Sequence, residues 1–308
     1  MEPSRTADLE DPARRNGVLF GISVTPYAAT YAEIVGQVLA AERVGLDAVG
    51  IQDHPYQRRF LDTFALIGDL LARTSRLRFF PDVASLPMRP PAMIAKAAAS
   101  LDFMSGGRFE LGLGAGGFWD AIEGMGGVRR ERGERLPALE EALHIIRGAL
   151  DVGPERRVVR GTGLHYRLPG YPPGPPPAHR IEIWIGAMST GAMRLIGRLA
   201  DGWIPGGGIS RVDEFSPLIE HMQEAAVAVG RDPGSIRRIV NLSGTITNGD
   251  RGDGALDGPP EHWIETLTSW SVDFGIDGFI FWPRDADTLQ IERFAADVVP
   301  DLRRALGG

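Results

Sequence analysis

The stretch QDHPYQRR at residues 52–59 sets an acid beside a histidine, Asp53 and His54, directly after an apolar run. Histidine titrates near neutrality and can give or take a proton. The adjacent carboxylate can hold a backbone group or accept from another donor. A second stretch, SGGRFELGLGAGG (105–117), contains Gly112-x-Gly114-x-x-Gly117, the spacing of a dinucleotide-binding fingerprint. A third, IEIWIGAMSTG (181–191), runs from an apolar segment through Gly186, Ser189 and Thr190 into a helical pattern. Free backbone N–H groups at such a helix start form an anion site, and hydroxyls can add to it. A plain uncharged cap is the competing reading.

Several other chemistries lack their residues. The chain has no cysteine, which removes disulfides and thiolate nucleophiles. Its one lysine, Lys96, falls inside a helical pattern, whereas a Schiff-base amine needs to sit inside a pocket. There is no His-x-His on a first strand and no His-Glu-x-x-His, so no metal is expected. His144 and His221 read as helix-surface residues; His165, His179 and His262 fall in or beside loops without ligand spacing. Asp53 and Asp82 could form the paired carboxylates of a glycosidase, and that alternative stays open at this level.

Positioning such groups is the task of the surrounding elements. Apolar runs predict strands at 17–24, 47–53, 77–83, 108–114, 181–187, 202–205, 239–246 and 278–282. Between and after them, apolar residues three and four apart predict helices near 31–44, 61–73, 91–104, 133–149, 191–200, 214–229, 260–272 and 288–299. Gly45 suits the end of the first helix. Strict strand–helix alternation through eight units predicts a (β/α)₈ barrel. Two doubly wound domains would share that count, but no linker divides the chain. The expected organisation is a polar tail at 1–16 and one barrel domain over 17–308. A Pro/Gly-rich insertion at about 151–180 reads as a surface excursion or lid. The tail lacks the apolar core of a secretion signal. No apolar run approaches the ~18 residues of a membrane span. The net charge of −7 favours neither nucleic acid nor an anionic membrane as partner. A cytoplasmic location is expected.

This frame decides what the glycines do. A dinucleotide fingerprint follows a first strand, opens a long helix, and is answered by an acid about 20 residues later. Here the run follows the fourth strand, and Glu131 and Glu134 are not at a strand end. Strand parity gives another account: 108, 110, 112 and 114 share one face, and Phe109, Leu111 and Leu113 the other. The apolar face meets the outer helices. The glycine face looks into the barrel mouth, where absent side chains leave room for something broad and flat; tight packing there is the alternative. In such barrels chemistry gathers at the C-terminal strand ends. Those ends are Thr25 and Pro26, Asp53 and His54, Asp82 to Ser85, Gly114 to Gly117, Gly186 to Thr190, and Trp282. A glycine floor and an anion-binding turn together suit a cofactor with planar rings and a phosphate tail.

The segments GLDAVGIQDHPY (45–56), LPMRPPAMIAKAAASLDFMSGGRFELGLGAG (86–116) and IWIGAMSTGAMRLIGRLADGW (183–203) resemble the bacterial luciferase-like oxidoreductases. That resemblance covers roughly 17–300. The family comprises FMN-dependent monooxygenases and enzymes using an 8-hydroxy-5-deazaflavin, coenzyme F420. It implies that His54 is the proton donor or acceptor beside the reacting carbon, with Asp53 next to the cofactor. It places a bulge, often with a non-prolyl cis peptide behind the ring, near Asp82, Val83 and Ala84. Gly114 and Gly116 match residues beside the ring system, and Gly186, Ala187, Met188, Ser189 and Thr190 match the phosphate-binding turn. The Asp-His pair tilts the expectation to F420 and hydride transfer to or from a small organic substrate. FMN with oxygen, supplied by a separate flavin reductase, is the alternative, and a catalytically idle flavin-binding barrel a third. The family's glucose-6-phosphate dehydrogenases carry a glutamate where this chain has Gly117, and a tryptophan where it has Arg58, so their substrate does not transfer. The resemblance further implies a homodimer, built on outer helices such as the alanine-rich 91–104.

Overall fold

The first apolar run, all buried, becomes β1 (Leu19–Val24). The computed structural model describes residues 17–151, 158–206, 212, 214–249, 251–284 and 288–307; the tail expected at 1–16 lies outside them. The other strands, in chain order, are β2 (Ala48–Ile51), β3 (Arg78–Pro81), β4 (Ala84–Ser85), β5 (Leu111–Gly114), β6 (Val159–Thr162), β7 (Arg167–Tyr171), β8 (Ile183–Gly186), β9 (Gly202–Ile204), β10 (Arg237–Leu242), β11 (Thr245–Ile246), β12 (Asp257–Gly258) and β13 (Gly278–Phe281). Parallel neighbours run β3–β2–β1–β13–β10–β9–β8–β5–β4. The ring closes where Phe79 of β3 bridges Phe109 just ahead of β5. The short β4 follows β3 and pairs with the end of β5. The architecture is the expected (β/α)₈ barrel.

Helices follow the strands: α1 (Tyr31–Arg43), α2 (Thr63–Arg73), α3 (Pro91–Ser105), α4 (Trp119–Gly124), α5 (Arg135–Leu150), α6 (Thr190–Leu199), α7 (Phe215–Ala228), α8 (Pro260–Phe274), α9 (Thr288–Arg293) and α10 (Val299–Ala305). Gly45 takes the left-handed conformation just beyond α1, at φ 81°. Asp62 caps α2 by accepting from the N–H of Ala65 at 3.0 Å. Among the described residues no helix is long and apolar enough to cross a membrane.

The period-2 pattern divides each strand between two cores. Phe20, Ile22 and Val24 face the helix ring, where they join Ile34 and Val38 of α1 and Leu66 and Leu70 of α2. Burial of each such side chain contributes about 1.5–3 kcal/mol. The inward positions form a separate plug of Leu19, Ala48, Phe80, Trp184, Ile204, Ile239 and Ile280. Large and small residues alternate around it. A Cβ on Gly21 would lie 2.4 Å from the Ala48 carbonyl oxygen and 2.9 Å from Ile280 Cδ1, so Ile280 fills what Gly21 leaves empty. Below the plug the inner face is charged: Glu110 and Glu182 are buried there, and His179 bonds to Asp102 (2.7 Å) and to Glu110 (3.2 Å).

Two expectations needed correction, and a third, the insertion, gains a defined structure. The strand at 239–246 is two elements: the barrel strand stops at Leu242, and β11 turns away to pair with β12. The backbones cross closely there; a Cβ on Gly244 would sit 2.4 Å from the Leu256 carbonyl oxygen. The 151–180 insertion holds an antiparallel hairpin, β6–β7. Its turn is tied by one carboxylate, Glu141, which accepts from the N–H groups of Leu164, His165 and Tyr166 at 2.9–3.0 Å. The final helix is interrupted by a π turn at Phe294–Val298 and continues to Ala305.

Candidate active site

Every barrel strand but β1 delivers residues at or just past its end to one cavity of about 810 Å³; Thr25 and Pro26 do not line it. Of the twelve residues expected at the site, ten line it: Asp53, His54, Asp82, Val83, Ala84, Gly114, Gly116, Gly186, Ala187 and Met188. Ser189 and Thr190 are exposed and do not. The Ser189 hydroxyl is spent on the helix behind it, accepting from the N–H of Ala192 at 3.4 Å as the cap of α6.

β2 ends at Ile51, and Asp53 turns inward and is buried. Its Oδ2 accepts from the N–H of Ser85 (2.9 Å) and from Arg89 (2.7 Å), tying the β2 exit to the segment after β3. Burial pushes the Asp53 carboxyl above its ordinary range, and Arg89 opposes that shift. One member of the possible carboxylate pair is thus committed to an ion pair. His54 lines the cavity, and its Nδ1 lies 2.7 Å from the Tyr56 hydroxyl. Burial holds the imidazole below its usual pKa, and the Asp53 charge partly restores it. Burial, and then Asp53, push the Tyr56 phenol up to about 12.

β3 ends in a non-prolyl cis peptide, Asp82–Val83. Asp82 reaches across the barrel top, accepting from Ser23 of β1 and Asn241 of β10, both at 3.3 Å. Burial pushes its carboxyl up to about 6, against those two hydrogen bonds. Val83 turns into the mouth, and here the sequence-based account of the glycines needs revision. A Cβ on Gly114 would meet Val83 Cγ2 at 2.8 Å, one on Gly186 would meet it at 2.7 Å, and one on Gly112 would lie 2.1 Å from the Pro81 carbonyl oxygen. The room left by the glycines is occupied by the Val83 side chain and the Pro81 carbonyl, so the flat floor is the valine seated in a glycine socket. Gly116 serves the turn itself, at φ 97°, where a Cβ would strike Pro87 at 2.5 Å.

Sequence reasoning placed Ser85 at a strand end without a role and missed Tyr56, Phe118 and Asn241; all four line the cavity. Parity could have found Asn241, since it shares the inward face of β10 with Ile239 of the plug. Three polar atoms on lining residues are buried without a hydrogen-bond partner: Asp53 Oδ1, Ser85 Oγ and Asn241 Oδ1. Buried polar atoms are nearly always paired, so these are places where a ligand's own polar groups can be received. Among the described residues, no group of three or more His, Asp or Glu side chains is arranged to hold a metal ion.

The family model described as luciferase-like monooxygenase matches residues 17–256. An uncharacterized protein of Mycobacterium tuberculosis is 35% identical over 190 residues, covering 62% of each chain. An F420-dependent glucose-6-phosphate dehydrogenase of Segniliparus rotundus is 31% identical over 68% of this chain and 63% of its own. The chain thus spans less than two thirds of the length of both relatives. Among solved structures, the coenzyme F420-dependent tetrahydromethanopterin reductase of Methanopyrus kandleri superposes with a TM-score of 0.78 at 17% identity, over 93% of this chain and 99% of its own. At that identity the likeness is one of fold.

Proposed function

The chain belongs to the luciferase-like monooxygenase family, and from that premise we propose that it is an oxidoreductase passing a hydride between coenzyme F420 and a small organic substrate. The observation that carries this reading is His54, a half-buried imidazole of lowered pKa on the wall of a cavity that gathers most of the described strand ends. The relatives named F420-dependent support the choice of coenzyme.

The cavity suits a tricyclic ring. It has the volume of a cofactor site, a valine seated among glycines as its floor, and three unpaired buried polar atoms on its walls. Val83 would support one face of the ring. Ser85 and Asn241 would meet its polar edge, and the backbone of Gly186, Ala187 and Met188 would follow the tail toward the start of α6. Ser189 and Thr190, at that helix start, would receive the phosphate through backbone N–H groups. A deazaflavin, once bound, supplies hydride chemistry at a ring carbon. The remaining work belongs to this chain. His54 faces the reacting molecule and holds or moves its proton. Asp53, through Ser85 and Arg89, keeps the β2 exit and the floor in register. The apolar walls exclude water.

The family's name also carries the second reading, monooxygenation with FMN, and a third is a barrel that binds without turnover. Fluorescence titration with F420 and with FMN separates the first two. FMN binding ten-fold tighter, about 1.4 kcal/mol in the wrong direction, would overturn the coenzyme assignment. For the role of His54 the test is His54→Ala at saturating coenzyme. Turnover is expected to drop roughly 10²–10⁴-fold with coenzyme affinity nearly unchanged. A variant retaining about a third of the turnover, far above that range, would remove His54 from the mechanism.

A further inference from the structure

His54 has two ring nitrogens, and the described residues engage only one. Nδ1 lies 2.7 Å from the Tyr56 hydroxyl. Nε2 has no hydrogen-bond partner among the described residues, while the residue lines the cavity. The contact follows from the local sequence. Pro55 fixes its φ and favours the second position of a turn. The turn closes with the N–H of Gln57 donating to the His54 carbonyl at 2.8 Å, which folds Tyr56 back over the imidazole. Aromatic rings hold the pair in place. Phe118 meets the His54 ring edge-on at 5.4 Å and the Tyr56 ring at 5.8 Å; Phe60 lies 6.4 Å from His54.

We propose that Tyr56 is a positioning residue that fixes the tautomer of His54, donating its hydroxyl hydrogen to Nδ1 so that the ring proton sits on Nε2 and is offered to an acceptor oxygen of the bound substrate. This rests on the reading of His54 as the group facing that substrate. The chemistry favours the stated direction. A phenol is a stronger donor than a neutral imidazole N–H, and an imidazole lone pair is a stronger acceptor than a phenol oxygen. Both groups are neutral at pH 7, since burial lowers the imidazole pKa and raises that of the phenol to about 12. The hydrogen bond at one nitrogen then decides which nitrogen carries the proton. When the ring gains a second proton, the hydroxyl turns and accepts from Nδ1–H, and Nε2–H still points outward. In both states Nε2–H faces the substrate as a hydrogen-bond donor; a proton is transferred only from the doubly protonated ring, which keeps Nδ1–H on the Tyr56 oxygen and regains its second proton from solvent. The matching substrate class carries an acceptor oxygen, such as a carbonyl, at the reacting centre.

The test begins on the ligand-free protein, so it succeeds or fails independently of any coenzyme. Long-range ¹⁵N–¹H correlation spectra report the tautomer of each histidine, and His54 is assigned by the signal missing in His54→Gln. Wild-type His54 is expected in the Nε2–H form, and Tyr56→Phe, which keeps the ring and its packing, is expected to show both forms. A proton on Nδ1 in the wild type, or an unchanged tautomer in the variant, overturns the proposal. In turnover, Tyr56→Phe should lower kcat about ten-fold, the worth of one hydrogen bond, and leave coenzyme Kd within about a factor of two. Weakened Kd with unchanged kcat would make Tyr56 a wall residue and overturn it too. Loss of coenzyme binding or turnover in the wild type would instead strike the proposed function.

Discussion

Val83 Cγ2 occupies the position a side chain at Gly186 would need, 2.7 Å from an ideal Cβ there. Two strand ends far apart in sequence thus share one volume: the glycine of β8 exists for the valine after β3. Gly186→Ala should displace a stiff β-branched side chain and cost about 1–3 kcal/mol, as overpacking does. Val83→Ala in the same chain should recover most of that loss. Thermal or urea unfolding of the single and double variants measures the coupling; purely additive losses would disprove the shared volume.

Asp82 adds a pH-dependent cost. Its carboxyl is pushed up to about 6, from 3.8, by burial. The folded state therefore binds this proton more tightly than the unfolded chain. The cost is absent below about pH 4, grows as pH rises between the two values, and is complete above about 6. Asp82→Asn keeps an oxygen to accept from Ser23 and carries no charge. It should be more stable than the wild type at pH 8, by at most about 3 kcal/mol, with the gain shrinking toward pH 4. Unfolding at both pH values is the check, and an equal difference at each would contradict it.

His179 shifts stability in the same pH direction, but as a contribution lost rather than a cost gained. Burial opposes its charge, but hydrogen bonds to Asp102 and Glu110 and their negative charge prevail, holding its pKa up at about 9 against 6.5. Its contribution to stability is full below pH 6.5 and is lost as pH rises through about 9. The difference is worth at most about 3 kcal/mol. His179→Gln should be less stable than the wild type at pH 6, and the two should converge near pH 10. Parallel denaturation curves across that range would show no such convergence if the pair were merely packed.

For assembly we propose a homodimer built on α3. Met93, Phe103 and Met104 stand on that helix with 59%, 59% and 72% of their surface exposed. Large apolar side chains grouped on one helix mark an interaction face. Light scattering should give about twice the 33.4 kDa chain mass, and Met104→Glu should shift the population to monomer. A wild-type monomer would end this proposal.

The barrel was legible because its signal is local. Apolar runs and three-four spacing report burial within one element, and strand ends in a barrel converge whatever the helices do. His54 and the glycines could be located from position in chain order alone. What stayed hidden depends on contacts between distant segments. Arg89 reaches Asp53 from 36 residues away. Asp102 and Glu110 capture His179 from 77 and 69. Val83 fills the glycine socket by a backbone turn that no side-chain pattern encodes. The hairpin in the insertion was missed because its strands are short, carry glycine and proline, and rest on a carboxylate borrowed from α5.

The plug formed by Leu19, Ala48, Phe80, Trp184, Ile204, Ile239 and Ile280 closes the barrel beneath the cavity. Among the described residues, a closed base leaves the barrel mouth as the approach to the site. On the proposed function, two reactants sharing the cavity would queue: the one resting on Val83 would enter first and leave last, and the one nearer the mouth would hold it in. The kinetic order of a two-reactant enzyme here would then be set by an apolar plug of which Ile204 alone lines the cavity, with the outer reactant slowing release of the inner one.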